Sequence, residues 1–154
     1  MPLKAALGSF LAEFHRFETE GVRNALQSLS RDAQFAERAE ELLGLEARLT
    51  LVERLASARV MASELSASLL DLLSRARRLL DVREEIVQVS PILPAGDPGT
   101  TPLIVRRRSR STPGHPDEPE ELWVPAAREL QAFASETMEL NASLCAMAAE
   151  IGRA

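Results

Sequence analysis

Residues 3–90 contain no proline and only three glycines, Gly8, Gly21 and Gly44, whereas residues 91–119 hold seven prolines. A proline inside a helix removes a backbone donor and collides with the preceding turn, so the first stretch predicts long helix and the second a broken connection. Downstream, Trp123, Ala126, Leu130, Phe133, Thr137, Leu140, Leu144, Met147 and Ile151 recur at alternating intervals of three and four, the spacing of a helical packing seam. Ordering so long a helix costs more backbone entropy than an isolated seam returns, so the seam must dock. The predicted fold is all-α: an elongated antiparallel three-helix bundle or coiled coil with a long Pro-rich loop before the last helix. Its single domain spans residues 1–154, with helices over about 3–28, 31–87 and 124–152 and an irregular loop over about 90–121.

Local patterns refine this division. Leu3, Leu7, Phe10, Phe14 and Phe17 share one helical face and predict a buried aromatic stripe. After Gly21 the stripe resumes out of phase through Val22, Ala25, Leu26 and Leu29, which predicts a bend or slight rotation there. Residues 28–32 carry capping side chains without a forcing glycine or proline; a break with Ser30 as the cap is favoured over a continuous rod of more than roughly 100 Å. The Leu45, Leu49, Val52 and Ala56 stripe and the Leu65, Leu69, Leu72, Ala76 and Leu79 stripe are offset by about one residue, like a local stammer, and Arg83 interrupts the second on its way to Ile86. Residues 38–43 and 75–80 match in frame but reverse charge in the middle, so the long helices of two chains, paired antiparallel about Arg59 in a dimer, would bring position 41 of one opposite position 77 of the other with complementary charge. A β-hairpin that joins Val87, Val89, Ile92 and Leu93 to Leu103, Ile104 and Val105 is the alternative to an irregular loop; prolines on both flanks favour the loop.

Composition excludes more than it assigns. A formal net charge of −5 disfavours broad attraction to nucleic acid or anionic membranes. No stretch approaches the roughly 20 apolar residues that span a bilayer, and Glu13, His15 and Arg16 interrupt the apolar N-terminus too soon for a signal peptide. The lone Cys145 has no intrachain disulfide partner, which agrees with a reducing, cytoplasmic or nuclear address. His15 and His115 lack a second ligand at metal-binding spacing, no phosphate-binding glycine motif occurs, and nothing suggests a cofactor or small-molecule substrate.

The most specific short motif is Arg106-Arg107-Arg108-Ser109-Arg110-Ser111-Thr112-Pro113. Arg106 and Arg108 stand five and three residues before Ser111, the arrangement that lets a basophilic kinase grip an extended peptide. The part from Arg108 to Pro113 resembles the phosphoserine motif recognised by 14-3-3 adaptors, which implies a ligand segment captured through an added phosphate. The same arginines can meet nucleic-acid phosphates, but no aromatics interleave them for stacking, and Asp117, Glu118, Glu120 and Glu121 supply an equal acidic count nearby. Loop self-neutralisation is the simpler reading.

The functional expectation is a noncatalytic scaffold or assembly subunit that meets a protein partner, or a second copy, through the long helix. Its interaction residues are Leu65, Leu69, Leu72, Leu79, Trp123, Leu130, Phe133, Leu140, Leu144, Met147 and Ile151. A phosphorylation-regulated adaptor, with Arg106, Arg108, Ser111 and Pro113 as regulatory residues, and a nucleic-acid accessory factor are the alternatives.

Overall fold

The computed structural model describes residues 2–89, 103–108 and 119–153, and the chain is predominantly helical there. Helix α1 (Leu3–Arg16) runs through a π-helical turn (Phe17–Gly21) into α2 (Val22–Ser30). The phase change in the sequence has its cause here. The wide turn takes up the extra residue, so Leu3, Leu7, Phe10, Phe14 and Phe17 before it and Val22, Ala25, Leu26 and Leu29 after it are all buried, with both helices packed on the last helix.

The helix expected over 31–87 is three helices: α3 (Ala33–Leu42), α4 (Leu45–Ser57) and α5 (Ser63–Val89). Arg31 adopts the left-handed conformation at φ 57° and ends α2. The new start is capped by Asp32, not Ser30: Asp32 Oδ1 accepts from the Gln34 amide at 3.0 Å and the Phe35 amide at 3.3 Å, while Ser30 Oγ accepts from the Asp32 amide at 3.2 Å. A second break falls at Leu43 and Gly44. The third, at residues 58–62, reverses the chain where the two leucine registers are offset, so that offset marks a turn rather than a stammer in one rod. Reversal lets the α4 stripe, Leu45, Leu49, Val52 and Ala56, face α2 and α5, whereas a straight rod leaves it wet.

The α4–α5 hairpin carries charge pairs of its own, but not between residues 38–43 and 75–80: Glu40 of the first segment pairs with Arg23 of α2 instead. Arg77 on α5 donates to Glu53 at 2.8 Å and to Glu46 at 3.3 Å on α4. Arg59 itself closes the end of the bundle, donating from Nη1 to the Ser28 carbonyl at 3.1 Å and from Nη2 to the Ile151 carbonyl at 3.3 Å. Those carbonyls belong to the last turns of α2 and α6 (Ala127–Arg153), where helical acceptors lack intrahelical donors.

Part of the segment expected as irregular loop is a two-stranded antiparallel ladder, β1 (Leu103–Arg108) with β2 (Pro119–Val124). Its register sets Leu103 opposite Val124, Ile104 opposite Trp123 and Val105 opposite Leu122, then Arg106 opposite Glu121 and Arg107 opposite Glu120. Apolar β-formers fill one half and opposite charges the other. Trp123 therefore belongs to a strand rather than to the helical seam, and the last helix begins at Ala127 instead of 124. Val87 and Val89 lie in α5, which rules out their alternative hairpin; residues 90–102 and 109–118 lie outside the described residues.

One hydrophobic core joins the described helices. Phe10 meets Phe14 at 5.9 Å and Phe133 at 6.1 Å between ring centroids, and Phe14 meets Phe17 at 6.1 Å. The basic interruption of the α5 stripe is accommodated by stacking: the Arg83 guanidinium lies 5.4 Å from the Phe14 ring centroid.

Candidate interaction surface

The seam residues are consumed largely by the chain's own core. Leu69, Leu72, Leu79, Leu130, Leu140, Leu144, Met147 and Ile151 are buried, and Leu65 and Phe133 are half-buried against them. Their cover comes from α1, α2 and α5 on one side and α6 on the other. Arg106 and Arg108 lie on β1, in register with Glu121 and Pro119, while Ser111 and Pro113 fall outside the described residues.

An ion pair and a hydrogen bond pin the π turn. Glu18 pairs with Arg48 of α4, which is 97% buried by its 3% exposure and whose Nε has no partner. On the opposite side, Asn141 Nδ2 of α6 donates to Glu20 at 3.3 Å. Gly21 makes the approach possible, because a Cβ there would sit 2.6 Å from Asn141 Oδ1. Cys145 is a free, half-buried thiol that accepts from Asn24 at 3.6 Å and donates to Asn141 at 3.7 Å. The hydrogen bond that Arg77 donates to Glu53, aided by the charges of Glu53 and Glu46 against partial burial, holds the Arg77 guanidinium above its ordinary range, so that cation stays charged.

Surfaces that the sequence reading did not single out appear on α3 and between α5 and α6. Helix α3 faces inward with Ala36 and Ala39 alone, while Phe35 and Leu42, seven residues apart on one face, point outward beside Leu43. Leu42 is 80% exposed. The i, i+7 spacing of Phe35 and Leu42 was readable; that the smaller residues would be the buried ones was not.

Between α5 and α6, two adjoining depressions of about 490 and 460 Å³ share Ser68 and Met147. Leu65 and Leu72, Ala62 and Ala67, and Ser143 complete their apolar and small-residue lining, with Glu64, Asp71 and Glu150 at the rim. No arginine or lysine lines either one. The next α5 cations, Arg75 and Arg78, approach Glu136 of α6 at 4.0 and 3.9 Å.

Among the described residues, no group of three or more His, Cys, Asp or Glu side chains is placed to hold a metal ion, and no helix is long and apolar enough to cross a membrane. Comparisons with protein-family models, with curated proteins and with solved structures found no match.

Proposed function

We propose that this chain is a noncatalytic helical scaffold or assembly subunit acting through protein–protein contacts in the cytosol or nucleus. The observation that supports this most is the inverted character of α3: alanines occupy its inner face, Leu42 is left to solvent, and Phe35 and the adjoining Leu43 each keep 38% of their surface exposed. A helix selected only for its own fold gains more by burying its large side chains and exposing its small ones, because burial of a leucine or phenylalanine is worth about 1.5–3 kcal/mol. Exposed apolar groups gathered on one short helix mark a contact surface. Most of the long-helix seam, by contrast, is spent internally.

A photo-crosslinking residue at position 42 of the full chain, irradiated in its native cells, tests the proposal. A discrete protein adduct is the expected product, made by a partner or by a second copy, and Phe35→Ser should abolish it while the helical circular dichroism is unchanged. Irradiation that yields no adduct, with the chain recovered as a lone monomer that turns over a small molecule, would overturn it.

A further inference from the structure

We infer that the groove between the first half of α5 and the second half of α6 is the seat of a basic amphipathic helix from a partner protein. The inference rests on the assembly reading above and names a surface and a partner chemistry for it. The floor is apolar, formed by the half-buried Leu65 and the buried Leu72 and Met147, and the small Ser68 lines both depressions, so a second backbone can come close there. The rim carries Glu64, Asp71 and Glu150 with no cation among the lining residues. Arg75 and Arg78, the nearest α5 cations beyond Leu72, are drawn across the helix pair toward Glu136 and do not neutralise that rim.

The geometry selects the occupant. From Glu64 to Leu72 the α5 wall runs about 12 Å at the helical rise, a little over two turns, which matches apolar anchors at i, i+3 or i+4, and i+7 on a docked helix. Arginines or lysines flanking those anchors meet the three carboxylates, whereas an acidic helix meets like charge. The chain's own arginine-rich strand β1 does not supply the ligand in cis, since its backbone is already paired with β2.

The probe is a pair of helical peptides of about 18 residues, long enough to carry the three anchors with capped ends. Both have leucines at i, i+3 and i+7; one has arginine flanks and the other glutamate flanks. They are titrated into the full chain carrying 13C-methyl methionine. The basic peptide should shift the Met147 methyl resonance and leave that of Met138, exposed elsewhere on α6, in place. Its binding should weaken as salt rises, and by about tenfold when the rim is neutralised with Glu64→Gln, Asp71→Asn and Glu150→Gln together, isosteric changes at exposed positions that leave the helices intact. Equal binding of the acidic peptide, a shift confined to Met138, or indifference to rim neutralisation would overturn the inference. So would light scattering that shows a dimer whose Met147 resonance is already displaced, because a second copy would then be the occupant. Failure of the peptide beside a successful crosslink from position 42 removes the groove and leaves the assembly reading standing; failure of both removes the two together.

Discussion

Gly21 and Arg48 show how single side chains hold the N-terminal helix in place. Glycine inside a helix ordinarily costs about 0.5–1 kcal/mol relative to alanine. At position 21 the sign reverses, because the added Cβ would meet Asn141 Oδ1 at 2.6 Å in a buried contact. Gly21→Ala should therefore destabilise by about 1–2 kcal/mol in urea unfolding, the range of a modest overpacking, and Asn141→Ala in the same chain should recover part of the loss. For the Arg48–Glu18 pair, Glu18→Gln leaves a buried guanidinium short of a counter-ion and should cost about 2–3 kcal/mol, below the fully buried case because Glu18 keeps some solvent contact. Replacing both, as Glu18→Leu with Arg48→Met, should return stability close to that of the parent, since an apolar pair needs no desolvation. A double-mutant cycle of thermal melts checks both outcomes.

At the scale of the elements, short polar contacts decide where helices stop. Asp32 caps α3 through two amides, so Asp32→Ala should lower stability by about 1 kcal/mol. Arg59 closes two helix ends at once; Arg59→Ala should cost about 1–3 kcal/mol and speed amide exchange in the last turns of α2 and α6 while the centre of α6 stays protected. The β ladder makes a sharper claim. In a Cys145→Ala background, Val105→Cys with Leu122→Cys should oxidise to an intrachain disulfide, whereas Val105→Cys with Trp123→Cys, one position out of register, should not.

Across the molecule, seam residues that sit within one chain's core imply stability independent of association. Leu140 is fully buried among helices of the same chain, so Leu140→Ala should lose about 3–5 kcal/mol. Calorimetry should find the same loss across a hundredfold range of protein concentration; a midpoint that climbs with concentration would mean that a second copy completes the core.

The helical class, the buried phenylalanine stripe and the apolar line of α6 were all readable before any coordinates, because period and propensity are local properties of neighbouring residues. So was the phase slip at Gly21, although a π turn was not its only possible form. Which way the chain turned at residues 43–44 and 58–62 was a different matter: a register offset of about one residue is equally consistent with an over-wound rod and with a reversal, and only competition for burial among α2, α4 and α5 separates them. Trp123 erred for the same reason. Its spacing suited the α6 seam, yet pairing with Ile104, nineteen positions upstream, satisfied its backbone instead. Periodicity says that a face wants cover; long-range packing chooses the cover, since that free energy depends on partners the local pattern does not contain.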